Sequence, residues 1–151
     1  MKWPNGKHFA FTVFDDTDRG TRENLAPVYN LLERLGFLTT KSVWPVSGSG
    51  PAIIPGDTCD DTEYAEWVTE LRGRGFEIGF HNATFHSSTR METIRGIDRF
   101  NELFGTDPVT AANHASNKEA IYWGRARLGG WRALAYDALS GFRAQRCTGH
   151  V

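Results

Sequence analysis

Between Phe9 and Phe14 the chain reads FAFTVF, a nearly unbroken run of apolar β-formers that stops on two aspartates, Asp15 and Asp16. A run with no polar face suits a strand covered on both sides, the situation of a parallel sheet and not of a half-solvated antiparallel one. Parallel strands cannot be joined by tight turns, so helical crossovers should follow, and the sequence supplies them. Leu25, Val28, Leu32 and Leu35 fall at helical spacing, with Asn24 as a cap, Pro27 in the first turn and Gly36 as the stop. FLTTKSVWPV is the second strand candidate and runs into SGSGPAIIPGDTCDD, a Gly/Pro/Ser-rich stretch long enough for a functional loop. Tyr64, Trp67, Val68 and Leu71 define a second amphipathic helix, and FEIGFH a third strand. Thr89 and Glu92 have capping-box spacing, with Ile94, Ile97, Phe100 and Phe104 as the buried stripe and Gly105 as the stop. VTAANH predicts a fourth strand, a helix follows around Trp131, Leu134 and Leu139, and FRAQRCTGHV predicts a fifth strand.

Strand and helix alternating in this way predict an α/β fold built on a parallel sheet, either open or curled into a partial or distorted (β/α) barrel. A complete eight-stranded barrel takes about 250 residues. The 151 residues here read as one domain, 1–151, that is an incomplete barrel or a truncated chain. Composition removes several function classes. Lys plus Arg number 17 against 18 Asp plus Glu, and a net charge of -1 creates no field for nucleic acid or an anionic membrane. Cys59 and Cys147 are too few and too distant for a disulfide framework and read as incidental thiols. No apolar leader precedes the first strand and no window spans a membrane, so the expectation is a soluble, cytoplasmic protein of open oligomeric state. The GSG of the long loop lacks the glycine spacing of a phosphate-binding turn.

Parallel α/β folds bind ligands where the carboxyl ends of their strands open onto one rim. The residues ending the strands are therefore the candidates: Asp15 and Asp16, then Trp44, then His81 with His86 beyond it, then Asn113 and His114. Two adjacent carboxylates in a dry site repel unless a cation or divergent side chains relieve them. Asp16, His81 and His86 would give a divalent ion three protein ligands and leave one position open, the pattern of catalytic zinc. Asp15 would then be free to act as a base. His81 and His86 are five apart, which on a helix would turn them away from each other. Either the segment NATF between them folds back, or His114 takes the place of His86. His114 and Asn113 are also candidate substrate contacts, Trp44 a candidate aromatic surface for substrate, and Asp18 reads as solvated charge. Asn82, Ala83 and Thr84 form a glycosylation-like triplet that reads as chance.

FTVFDDT and GFEIGFHNATFH resemble the first two motifs of the polysaccharide deacetylases, carbohydrate esterase family 4, also called the NodB-homology domain. The resemblance implies a distorted (β/α) barrel that removes acetyl groups from N- or O-acetylated carbohydrate with a divalent metal ion. It implies Asp15 as base and Asp16, His81 and His86 as metal ligands. The family's second motif usually places three residues between its histidines, where four stand here, and AANHASN occupies the place of its base-orienting arginine segment. His150 in CTGHV is a weak stand-in for the family's acid histidine. The alternative expectation is a non-catalytic carbohydrate-binding or scaffold domain that keeps the fold.

Overall fold

The computed structural model describes residues 3–50, 52, 54–114, 117 and 128–139. After a short 3-10 turn at Pro4–Gly6, the elements run β1 (Phe14–Asp15), α1 (Arg22–Arg34), β2 (Thr40–Val43), α2 (Thr62–Gly73), β3 (Glu77–Phe80), α3 (Arg90–Phe104) and α4 (Gly130–Leu139). The three strands form one parallel sheet in the order β1-β2-β3. Each crossover thus advances by one neighbouring strand. Connections of one hand that advance in one direction put their helices on one face, and α1 packs on α2 and α2 on α3 accordingly. Sequential order is the arrangement of a (β/α) barrel, whereas a doubly wound sheet reverses direction at its centre. The described residues establish this mixed α/β architecture without closing a barrel.

The register sorts the strand residues by face. Asp15, Lys41 and Ile78 form one row, and Val43 and Phe80 pair on the same side. Ile78, Val43 and Phe80 pack among Tyr29, Tyr64, Val68, Leu71 and Phe100, so this is the helix-covered face. Phe14, Thr40 and Gly79 lie on the other face, where a Cβ on Gly79 would stand 2.8 Å from the Phe14 ring. His81, two residues beyond Gly79, belongs by strand alternation to that second face. One further segment joins the sheet: Phe80 N–H donates to Thr110 O at 2.9 Å and Ala112 N–H to Phe80 O at 3.0 Å. The expected fourth strand is thus a single parallel bridge, Phe80 to Ala111. It is enough to carry His114 to the rim.

Several sequence expectations need correction. FAFTVF is not a strand over its length: only Phe14 and Asp15 are, and Phe9 is 78% and Phe11 76% exposed. Among the described residues β1 is an edge with β2 as its one partner, so nothing covers the apolar run that precedes it. Helix α1 is capped by Thr21, with Asn24 completing a capping box. Pro27 therefore sits in the second turn, where the carbonyl of Glu23, four residues back, loses its helical donor. The α1 seam is also rotated: Tyr29 is buried, while Val28 and Leu35 are exposed. A tyrosine can enter the core here because its hydroxyl reaches the Asp15 carboxylate at 2.9 Å. On α3, Ile94 and Ile97 are exposed, and the buried line is Gly96, Phe100 and Phe104. On α4, Trp131, Leu134 and Leu139 are exposed and Ala133 is buried. The expected fifth strand at 142–151, with Cys147 and His150, lies outside the described residues. Cys59 is buried and its thiol is pushed up to about 12 by desolvation, so it is an inert core residue.

Candidate metal centre

Three loops at the carboxyl ends of the strands build the site. The first follows β1 and closes as a turn in which Gly20 N–H donates to Thr17 O at 2.8 Å. Arg19 takes a left-handed conformation, φ 58, and its N–H reaches Pro55 O at 2.8 Å, which docks the turn on the loop after β2. Gly20 is required here, since a Cβ would come within 2.9 Å of Thr17 O. The turn raises Asp18 over the second face of the sheet. The loop after β3 begins at His81, whose N–H donates to Val43 O at 3.0 Å and so prolongs the sheet by one rung. Asn82 follows with φ 58, a conformation that asparagine tolerates better than most residues. Its Oδ1 accepts the backbone N–H of His114 at 2.9 Å. The loop is pressed down by α3, where a Cβ on Gly96 would lie 2.7 Å from the Ala83 Cβ.

The result is that Asp18, His81 and His114 each present a donor atom within 4.8 Å of the other two. His114 Nε2 is 3.1 Å and His81 Nε2 3.7 Å from Asp18 Oδ1. All three atoms are buried, and none makes a hydrogen bond. The opposite ring nitrogens explain which way the lone pairs point. His81 Nδ1 is 3.2 Å from Ala112 O, an oxygen that only accepts, so the proton is on Nδ1 and the Nε2 lone pair faces inward. His114 Nδ1 is 3.1 Å from Asn117 Oδ1. The Asn117 amide is oriented by its Nδ2, which donates to Thr84 O at 3.1 Å, so His114 likewise carries its proton on Nδ1.

Two imidazole lone pairs and a carboxylate oxygen therefore converge on one point. Such a cluster is self-repelling unless a proton or a cation lies between its members. Protonation is opposed at His81, where burial holds the pKa below the ordinary imidazole value although Asp16 and Asp18 pull it upward. Burial likewise raises the Asp18 carboxyl above its usual range, partly offset by His114. A divalent ion satisfies all three atoms at once, and two imidazole nitrogens with one carboxylate oxygen are an ordinary ligand set for it. The residues present fit such an ion.

Trp44 forms the floor. It is 0% exposed, its ring is stacked on His81 at 6.3 Å and 24° and meets His114 edge-on at 5.5 Å. It steadies both imidazoles from beneath and offers no open face to a sugar. Asp16 is on the open side: its side chain is 70% exposed, with Oδ1 3.3 Å from His81 Nε2, and it also accepts the Asp18 N–H at 3.2 Å. Asp15 points the other way, into the helix-covered face. Its Oδ2 accepts the buried Lys41 ammonium at 2.9 Å and the Tyr29 hydroxyl at 2.9 Å. Lys41 also donates to Ser42 O at 2.7 Å and Thr17 Oγ1 at 3.3 Å, while burial draws its pKa downward against the pull of Asp15.

The histidine at 86 is placed apart from this cluster. Its Nδ1 donates to Ser87 O at 3.0 Å, and its Nε2 lies against Gly48 of the long loop, where a Cβ would stand 2.3 Å away. Asn113 is exposed beside His114. Of the residues singled out from the sequence, the structure thus brings together His81 and His114, with Asp16 alongside and Trp44 below. Asp18, Asn82, Asn117 and Lys41 were missed. Asp18 carries a signal only in retrospect, since TDRG places an acid two residues beyond Asp16 in a turn closed by glycine. Among the described residues no helix is long and apolar enough to cross a membrane. No family model, no curated protein and no solved structure matches this chain.

Proposed function

We propose that the protein is a metal-dependent hydrolase of the polysaccharide deacetylase type, removing acetyl groups from N- or O-acetylated carbohydrate. The observation that carries the reading is the convergence of His81 Nε2, His114 Nε2 and Asp18 Oδ1, buried and without hydrogen bonds, at the carboxyl end of a parallel sheet. The FTVFDDT and FEIGFH segments supply its second support, because both deliver residues to this rim. Asp18, His81 and His114 hold the ion, and two imidazoles with one carboxylate and an open side favour zinc. A divalent ion so held supplies a Lewis acid for an acetyl carbonyl and lowers the pKa of a coordinated water.

The chain's own residues do the rest. Asp16 is the carboxylate with access to the open side, and in this reading it takes the proton released as water attacks the acetyl group. Asp15, the base expected from the resemblance, has Oδ2 engaged by Lys41 and Tyr29 and instead anchors the strand end that presents Asp16. Trp44 excludes water from behind the histidines, and the backbone carbonyl of Ala112 with the Asn117 amide keeps both Nδ1 protons in place. The test is acetate release from a panel of acetylated mono- and oligosaccharides by zinc-loaded protein. Asp16→Asn is expected to lower turnover by about 100-fold or more while retaining metal. Sugar binding without acetate release from any substrate would replace the hydrolase with a non-catalytic carbohydrate-binding domain.

A further inference from the structure

The two histidines are oriented by different kinds of group. His81 gives its Nδ1 proton to a main-chain oxygen, that of Ala112, which no side-chain substitution removes. His114 gives its Nδ1 proton to a side chain, Asn117, which is 0% exposed. The same amide ties down the loop after β3 through Asn117 Nδ2 to Thr84 O at 3.1 Å. That loop in turn holds the His114 backbone, through Asn82 Oδ1 to His114 N–H at 2.9 Å. The closed circuit runs from imidazole to amide to loop and back to the imidazole's own main chain.

We propose that Asn117 is a positioning residue for the metal centre: it selects the Nδ1–H tautomer of His114 and so leaves the Nε2 lone pair free to bind. A neutral imidazole in water favours the proton on Nε2, where it would block the site. The Asn117 acceptor reverses that preference, and its carboxamide, unlike a carboxylate, does so without adding a charge beside Asp18. The flip of the amide is fixed because the Thr84 carbonyl accepts only from Nδ2. The inference rests on the metal reading above, but the tautomer itself is a property of the metal-free protein and can be measured separately.

Two substitutions and two readouts test it. Asn117→Leu removes both hydrogen bonds at similar volume, and Asn117→Asp retains an acceptor for Nδ1. The first readout is the protonation of His114 Nδ1 and Nε2 by nitrogen NMR of metal-free protein, above the ordinary imidazole pKa range. The wild type is expected to carry the proton on Nδ1, Asn117→Leu to shift toward Nε2, and Asn117→Asp to keep Nδ1 protonated. The second is zinc affinity by competition with a chromophoric chelator. Asn117→Leu is expected to weaken binding by about 10–100-fold, and Asn117→Asp to stay within about tenfold of the wild type. A wild-type His114 with its proton on Nε2 overturns the proposal, as does a loss in Asn117→Asp equal to that in Asn117→Leu. If the wild type binds no zinc, the metal reading fails while the tautomer arm still decides the role of Asn117. If Asn117→Leu does not fold, the wild-type tautomer and the Asn117→Asp variant decide it.

Discussion

His81 and Asp18 titrate in opposite senses, and the signs have consequences. Burial lowers the folded-state pKa of His81 below its unfolded value of about 6.5. The folded protein therefore binds fewer protons than the unfolded chain in the window just below that value. The stability this group contributes is present above the unfolded pKa and is lost as pH falls toward the folded one. Asp18, raised by burial, works against the metal-free fold at neutral pH, since its contribution is lost as pH rises through its folded pKa. The His81 contribution to the stability of metal-free protein should thus be lost on acidification from about pH 6.5, so the denaturation midpoint of His81→Gln should fall less steeply with decreasing pH than that of the wild type; identical slopes would contradict the buried neutral imidazole. Lys41 is a second residue-scale test. Lys41→Met leaves the Asp15 carboxylate without its cation and should cost about 3–5 kcal/mol in chemical denaturation; a loss near zero would show that the pair is not buried as described. His81 was legible in the sequence because a strand ending in histidine aims it at a rim. Asp18 was not, because an aspartate in a short polar turn looks the same whether solvated or turned inward, and only the docking of Arg19 on Pro55 decides.

Helices were the most legible elements because their ends carry chemical marks. The Thr89 and Glu92 pair forms the reciprocal capping box its spacing implied, and Gly105 takes the left-handed conformation, φ 66, that closes α3. Thr89→Ala should cost about 1 kcal/mol, read as a shift in the urea midpoint at unchanged slope. Gly96 matters more to the site. It lets α3 approach the loop after β3 at Ala83, and with no side chain it carries no signal in apolar periodicity. Gly96→Val should force α3 and the loop apart, destabilising the fold by about 1–3 kcal/mol and weakening metal binding, because Asn82 and Thr84 of that loop hold His114 and Asn117. Retained zinc affinity in Gly96→Val would break the connection drawn between helix and site. Strands were less legible. Phe9 to Val13 satisfied the pattern of a buried strand, yet burial depends on a neighbour that one segment's sequence cannot specify.

At the scale of the molecule, the parallel and sequential order β1-β2-β3, continued by the bridge to Ala111, places all the strand exits side by side. That order is why Asp18, His81 and His114, which are distant in sequence, meet. The parallel α/β class was legible from the alternation of strand-like and helix-like segments. The choice of His114 over His86 was not, because which loop curls inward depends on contacts between loops, as with His86 resting on Gly48 while His114 is drawn in by Asn82. The central claim is that one divalent ion is held by Asp18, His81 and His114. The direct measurement is bound zinc per chain, by elemental analysis after dialysis, in the wild type and in His114→Ala, Asp18→Ala and His86→Ala. About one equivalent is expected in the wild type and His86→Ala, and under roughly a tenth in His114→Ala and Asp18→Ala. Full zinc in His114→Ala together with loss in His86→Ala would contradict it.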